Sequence, residues 1–203
     1  MSDTMKLDGH EVVVGRTQSG KTHYAINARA EDWGGPVLFF NPQGFPVSGR
    51  KWVSCSGHSI VAQLIQVLKQ GLKLAYVPSD IDAVAEQELS VLVDAVFSAS
   101  FPAPGLLFVA DEAQDFAAPL RRIARRGLAR GVTGAFISQR PAEMHNTLLT
   151  QAIRHVIFDS AWESQYFKRY GLDSDKIEGI LSKAQKYSYI VVQGGCISGP
   201  YRV

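Results

Sequence analysis

The chain has 203 residues, of which 46% are hydrophobic and 20% charged, and its formal net charge is +2. This length suits one compact domain, here expected to span residues 1–203 after a loose leader at 1–10. The small net charge excludes bulk attraction as the basis of polyanion binding, so any such site must be a local patch. Cys55 and Cys196 show no metal-binding spacing, and there is no secretory signal and no apolar run of about 18 residues. We therefore expect a cytoplasmic-type protein without a membrane span.

Residues 11–22, EVVVGRTQSGKT, fit the pattern G-x-x-x-x-G-K-[ST] of a phosphate-binding loop. The preceding valines predict a strand, and a helix is predicted from about residue 20 to 32. In such a loop the backbone N–H groups and the helix N-terminus bind phosphates, Lys21 faces the β- and γ-phosphates, and the Thr22 hydroxyl is a ligand for Mg²⁺. The alternative is an ordinary Gly-rich turn. The predicted nucleotide-binding residues are Gly15, Arg16, Thr17, Gln18, Ser19, Gly20, Lys21 and Thr22.

Strands and helices alternate along the rest of the chain. Strands are predicted at 37–40, 52–55, 73–77, 106–110, 132–138, 154–159 and 187–193, and helices at 59–70, 81–99, 116–130, 162–170 and 174–183. Residues 194–203 are predicted to form a hairpin or an edge strand. The alternation predicts an α/β fold with a central, mainly parallel sheet and helices on both faces. The loop 41–52, with Arg50, Lys51 and Trp52, suits contact with a polynucleotide, and a plain surface loop is the alternative.

The apolar strand 106–110 ends in two acids, Asp111 and Glu112. After a phosphate loop this pattern resembles the Walker B element, in which Asp111 would hold the Mg²⁺ shell together with Thr22. Glu112 would then orient and activate the attacking water as a general base. A pair of acids capping the next helix is the alternative interpretation.

Two further features follow the acids. Five arginines, the first four of them at helical spacing in one basic band, allow three interpretations: an arginine finger presented in trans, contact with DNA phosphates, or a solvated face. They are Arg121, Arg122, Arg125, Arg126 and Arg130. Next, the strand 132–138 ends before Gln139, whose amide could contact the γ-phosphate or its water. The alternative for Gln139 is an ordinary exit from a strand into a loop.

The segments GRTQSGKT, LLFVADEAQDF and RRGLARGVTGAFISQRPAEMHNTLL together resemble the FtsK–HerA superfamily of P-loop ATPases, which are ring-forming motors that move double-stranded DNA. The resemblance covers about residues 11–160. It implies a RecA-like (ASCE) P-loop fold, ATP and Mg²⁺ as cofactors, and Gln139 as the sensor glutamine. Leu128 stands where many relatives have an arginine, which leaves Arg126 and Arg130 as candidates for the catalytic finger. It also implies that C-terminal strands border the base, with Tyr201 or Arg202 near adenine.

In its small size the chain resembles the genome-packaging ATPases of tailless, internal-membrane icosahedral viruses. This likeness implies a homo-oligomeric ring, a hexamer or a pentamer, that pushes double-stranded DNA into a preformed capsid. The expected location is the host cytoplasm or the virion, and a capsid-vertex or viral membrane protein is the expected partner. The alternatives are a plasmid or host DNA-transfer ATPase, a filamentous-phage assembly ATPase, a small-molecule kinase and a non-hydrolysing nucleotide-binding scaffold.

Overall fold

The computed structural model describes residues 9–47, 52–56, 61–159, 168 and 170–203. These residues form one sheet, whose strands are β1 His10–Val14, β2 Val37–Phe40, β3 Trp52–Cys55, β4 Lys73–Tyr76, β5 Leu106–Ala110, β6 Val132–Ser138, β7 Ala152–Ile157, β8 Ser188–Gln193 and β9 Cys196–Arg202. The strand order is β3-β4-β2-β5-β6-β1-β7-β8-β9. The pairs from β3 to β7 are parallel, and β8 and β9 are antiparallel additions. The predicted α/β fold with a mainly parallel sheet is confirmed.

Helices cover both faces of the sheet, as predicted. They are α1 21–32, α2 Val61–Lys69, α3 Ala85–Ser98, α4 Ala117–Arg126, α5 Asn146–Gln151 and α6 Ser174–Leu181. Helix α1 packs on one face, where Tyr24 and Ile26 join the core around Val13. The other helices pack on the opposite face, where for example Leu89 and Leu120 join the second core cluster.

The central strands are mainly apolar because both of their faces are covered, although β1 begins with the buried His10 and Glu11. Every residue of β1, β2, β5 and β6 is buried. The edge strand β9 is mostly exposed. Polar residues that follow a central strand are therefore left at the edge of the sheet, where the loops begin.

Helix α1 contains a wide π-helical segment, Tyr24–Arg29, between two α-helical ends. Arg29 Nε lies 3.2 Å from Oε1 of the fully buried Glu11, and Arg154 Nε lies 3.8 Å from Glu11 Oε2. Arg154 also donates a 3.3 Å hydrogen bond to the Tyr24 hydroxyl. One buried carboxylate thus joins α1, β1 and β7 through two guanidinium groups, so loss of Glu11 would leave two cations without their counter-charge.

Two predicted helices differ from the structure by about a turn at one end. Helix α3 begins at Ala85 rather than at 81, because the Asp80 carboxylate accepts 2.9 Å hydrogen bonds from the N–H groups of Asp82 and Ala83 and holds them in a turn. The helix predicted over 116–130 ends at Arg126, and a 3₁₀ turn, Leu128–Arg130, follows it.

Several sequence predictions fall outside the described residues. They concern the leader at 1–8, the loop residues Arg50 and Lys51, the helix start at Ser59, and most of the helix at 162–170. Trp52 is described, and its ring packs edge-on against Phe39 with the centroids 6.5 Å apart. The single-domain organisation stays a prediction. Among the described residues, no helix is both long and apolar enough to cross a membrane.

Candidate nucleotide-binding site

Three neighbouring strands bring the predicted site residues together. Strand β6 lies between β5 and β1, and all three are parallel, so their carboxyl ends meet at one edge of the sheet. The loop from Gly15 to Thr22 follows β1, Asp111 and Glu112 follow β5, and Gln139 follows β6. Gln139 therefore lies between the loop and the two acids.

The loop after β1 needs glycine at both of its pattern positions. At Gly15, a Cβ atom would lie 2.6 Å from Phe158 Cβ, closer than side chains approach. Gly20 has a φ of +106° and starts α1, and its carbonyl accepts a 2.8 Å hydrogen bond from Tyr24 N. Lys21 is buried and donates a 2.7 Å hydrogen bond to the Arg16 carbonyl within the loop. The loop is thus compact, and its lysine ammonium lies inside it.

Thr22 and Asp111 are in direct contact. Thr22 Oγ1 donates a 2.9 Å hydrogen bond to Asp111 Oδ2. Burial raises the pKa of Asp111, and the Thr22 hydrogen bond opposes that shift. Burial lowers the pKa of Lys21, while the charges of Asp111 and Glu112 oppose the shift. A hydroxyl and a carboxylate at this separation suit a hard divalent cation, and such an ion would favour the ionised Asp111.

Glu112 is connected to the phosphate loop through Gln139. The Gln139 amide donates from Nε2 to Glu112 Oε1, and its Oε1 accepts from the Thr17 hydroxyl. Glu112 is buried and has a left-handed φ of 51°, which is uncommon for a residue with a side chain. This chain of contacts joins a loop residue to a carboxylate suited to act as a general base.

Two glutamines that the sequence analysis did not single out also contact Glu112. Gln114 Nε2 donates a 2.7 Å hydrogen bond to Glu112 Oε2. Gln43 Nε2, in the loop after β2, lies 3.5 Å from Glu112 Oε1. The sequence did offer a hint for Gln114, because it stands two residues after Glu112 in the turn that follows an apolar strand. Nothing in the sequence indicated Gln43, because its approach depends on β2 being the neighbour of β5.

No protein-family model matches this sequence, and no curated protein matches it. Among solved structures, the genome packaging NTPase B204 of Sulfolobus turreted icosahedral virus 2, in complex with AMPPCP, superposes with a TM-score of 0.73 at 14% identity, over 97% of this chain and 98% of that one. B204 of Sulfolobus turreted icosahedral virus, a DNA-packaging ATPase, gives a TM-score of 0.62 at 12% identity, over 98% of this chain and 100% of that one. VirB4 of Thermoanaerobacter pseudethanolicus gives a TM-score of 0.63 at 10% identity, over 93% of this chain and 87% of that one.

This chain shares the fold of the genome packaging NTPase B204 and of VirB4. At these identities the likeness concerns the fold, so the roles of individual residues must be argued from the geometry of this chain. In open α/β sheets, nucleotides bind outside the carboxyl ends of the strands. In this chain the polar residues that follow β1, β5 and β6 lie at that position.

The remaining residues of the loop after β1 differ in their exposure and in their contacts. The N–H of Arg16 donates a 3.0 Å hydrogen bond to the Asp159 carbonyl, and the Arg16 guanidinium lies 3.8 Å from the Asp159 carboxylate. Gln18 is exposed and has a left-handed φ of 60°. The buried Ser19 hydroxyl has no hydrogen-bond partner within the described part of the chain. A bound phosphate oxygen is an acceptor that this hydroxyl could use.

Arg126 and Arg130 do not join the P-loop site. Helix α4 starts after β5 at the carboxyl edge and runs back, so these arginines lie just before β6 begins at Val132. Seven residues of β6 separate them from Gln139, a span of about 20 Å at the rise of a strand. Both side chains are exposed, and neither has an ion-pair partner among the described residues. Arg122, by contrast, pairs with Asp94.

The C-terminal hairpin forms a wall beside the P-loop. A Cβ atom at Gly20 would lie 3.0 Å from Val203 Cγ2 and 3.6 Å from Tyr187 Cδ1. The Tyr201 ring packs against Tyr189 with the centroids 5.5 Å apart, and Arg202 bonds Gln185 at 3.0 Å. The contact of Tyr201 or Arg202 with adenine stays a prediction.

Proposed function

We propose that this protein is an ATPase that translocates double-stranded DNA, and that it serves to package a viral genome into a preformed capsid. The observation that carries the proposal is the network from Thr17 through Gln139 to Glu112, beside the Thr22–Asp111 pair. It joins a phosphate loop, oxygen ligands and a base at one edge of the sheet. The fold shared with a genome packaging NTPase over almost the whole of both chains supports the packaging role.

In the proposed reaction, water is the nucleophile and ATP the substrate. Glu112 takes a proton from the water while the water oxygen forms a bond to the γ-phosphorus. The bond from that phosphorus to the β–γ bridging oxygen breaks. The products are ADP and inorganic phosphate. The buried Lys21 ammonium and the N–H groups of the loop compensate the negative charge of the phosphates. Gln139 holds Glu112 in register with the loop.

Thr22 and Asp111 would hold Mg²⁺. Their oxygens lie 2.9 Å apart, and both are hard donors of the kind that Mg²⁺ prefers. When bound, the ion would neutralise the charge on the β- and γ-phosphate oxygens.

We also propose that the site is completed by a second copy of this chain in a homo-oligomeric ring. Arg126 and Arg130 lie at the amino edge of the sheet, too far away to reach the phosphates of their own subunit. Because they are exposed, they are free to meet the carboxyl edge of a neighbour and to stabilise charge at the γ-phosphate there. The proposed partners are thus double-stranded DNA, further copies of the chain and a protein at the capsid vertex.

The experiment that tests this function measures the ATPase rate against protein concentration, with and without double-stranded DNA. A rate per subunit that rises with concentration, and rises again with DNA, supports a ring motor with a trans-acting arginine. Absence of ATP turnover under all these conditions would contradict the ATPase assignment. A rate that is flat in both variables would mean that the site is complete within one chain, and it would contradict the ring motor.

A further inference from the structure

Both oxygens of the Glu112 carboxylate are held by side-chain amides. Gln139 donates to Oε1, where Gln43 also approaches at 3.5 Å, and Gln114 donates to Oε2 at 2.7 Å. Two amides on opposite oxygens fix the rotation of a carboxylate, which a single amide does not do. The orientation of Glu112 therefore depends on Gln114 as well as on Gln139.

The Gln114 amide has only one favourable orientation. Its nitrogen donates to Glu112 Oε2 and lies 3.3 Å from Asp115 Oδ2, so it faces two carboxylates. Its oxygen is buried and has no hydrogen-bond partner among the described residues. Rotating the amide by half a turn would place that oxygen against two negatively charged groups.

The backbone around Gln114 is held in place independently of its side chain. Ala113 N donates a 2.8 Å hydrogen bond to the Ile137 carbonyl of β6, and Asp115 N donates a 2.9 Å bond to the Glu112 carbonyl. Since these bonds come from the main chain, a change of the side chain at 114 should leave the turn in place. The role of the amide can therefore be separated from the fold.

We propose that Gln114 is a positioning residue that holds the Glu112 carboxylate in the orientation needed to accept a proton from water. This inference rests on the proposed ATP hydrolysis for its kinetic consequences, and on the geometry of Glu112 for its structural ones. A base that is free to rotate spends less time within reach of the water, so turnover falls while nucleotide binding is unchanged.

The test compares Gln114→Met, which keeps the length of the side chain without a donor, with Gln114→Glu, which places a third carboxylate beside Glu112 and Asp115. We expect kcat to fall by about 10- to 100-fold in Gln114→Met and further in Gln114→Glu, with KM for ATP and the affinity for a non-hydrolysable analogue unchanged. The matched controls Gln87→Met and Gln87→Glu change an exposed glutamine on α3 and should leave kcat as in the wild type. A wild-type kcat in Gln114→Met, or a KM that rises in step with the loss, would overturn the proposal.

A double-mutant cycle and a crystal structure separate positioning from a general structural effect. In a Glu112→Gln background, Gln114→Met should cause little further loss, because Gln114 acts only through Glu112. Losses that multiply would overturn the proposal. In a crystal structure of Gln114→Met, the Glu112 carboxylate should turn away from its place beside Gln139, and an unmoved Glu112 would refute its positioning by Gln114. This structural result holds even if the wild type fails to hydrolyse ATP, an outcome that contradicts the proposed function alone.

Discussion

Thr22 Oγ1 donates a 2.9 Å hydrogen bond to Asp111 Oδ2, although the two residues follow different strands that are not neighbours in the sheet. Strand β6 separates β1 from β5, and the loops at their carboxyl ends reach across it. The contact brings a hydroxyl and a carboxylate together at the carboxyl edge of the sheet. The fold therefore places side by side the two oxygens that we propose as Mg²⁺ ligands.

Replacing Thr22 by Val removes the hydroxyl and keeps the shape of the side chain. We expect the Mg²⁺ concentration needed for half-maximal ATP hydrolysis to rise by about 10-fold or more, because one oxygen ligand is lost. ATPase assays over a Mg²⁺ titration measure this. Thr22→Ser keeps the oxygen and should stay close to the wild type. An unchanged Mg²⁺ requirement in Thr22→Val would remove Thr22 from the ligand set.

Replacing Lys21 by Ala removes the buried ammonium that lies within the P-loop. We expect binding of ATP, followed with a fluorescent analogue, to be lost together with turnover, because the charge of the phosphates is no longer compensated. Lys69→Ala, on the exposed side of α2, is the matched control. Persistent ATPase activity in Lys21→Ala would show that the loop does not bind the phosphates.

Glu112→Gln preserves the size of the side chain but removes the base. The variant should bind ATP as the wild type does, while its kcat falls by about 10²- to 10⁴-fold, the usual contribution of a general base. Equilibrium binding of ATP and single-turnover hydrolysis separate the two effects. Glu86→Gln, at an exposed position on α3, controls for the loss of one charge. Normal turnover would exclude Glu112 as the base.

The proposed trans arginine can be tested by mixing two inactive proteins. Arg126→Ala/Arg130→Ala keeps an intact P-loop, and Lys21→Ala keeps both arginines. If the arginines act on a neighbour, mixed rings contain interfaces with one intact site and one intact arginine donor, and part of the activity should return. The control Lys176→Ala, which removes an exposed charge on α6, should be active by itself, without being mixed with a second variant. Failure of the mixture to regain any activity would contradict action in trans.

Two buried histidines predict a loss of stability in acid. Burial lowers the pKa of His10 and of His155 from 6.5 to about 4, and His10 Nδ1 accepts a 2.8 Å hydrogen bond from Gly134 N. Between pH 6.5 and 4 the unfolded chain binds protons that the folded chain does not, so the free energy of unfolding should fall as the pH falls, by a few kcal/mol.

Urea unfolding at a series of pH values measures this loss. His10→Asn offers an oxygen to Gly134 N without a group that titrates, so its stability should depend less steeply on pH than that of the wild type. His23→Asn, at an exposed position of α1, is the control. A wild-type slope in His10→Asn would show that His10 does not contribute to the acid sensitivity.

The sequence predicted the fold class because its strongest signals are local. Four apolar runs correspond to β1, β2, β5 and β6, and the residues after three of them correspond to the site. The contact of Gln139 with Glu112 could not be derived from the spacing alone, since it requires β6 to lie beside β5. The same limit explains Gln43, which approaches Glu112 from the loop after β2, the strand on the other side of β5.

Local hydrogen bonds that compete with helix formation also limited the prediction of helix ends. Ile81 and Val84 extend the apolar pattern of α3 toward its N-terminus, but the Asp80 side chain binds two backbone N–H groups and delays the start of the helix. The π-helical segment of α1 ends at Arg29, whose guanidinium contacts Glu11 of β1, and spacing within α1 cannot predict a contact with another element.

The wall formed by Tyr187 and Val203 beside Gly20 has a consequence for how the protein is made. The P-loop leaves the ribosome early, whereas both wall residues are synthesised much later. A partly made chain therefore carries the loop without these two neighbours. Because a ligand stabilises only the state that it binds, nucleotide at the proposed site would favour chains in which both neighbours are already in place.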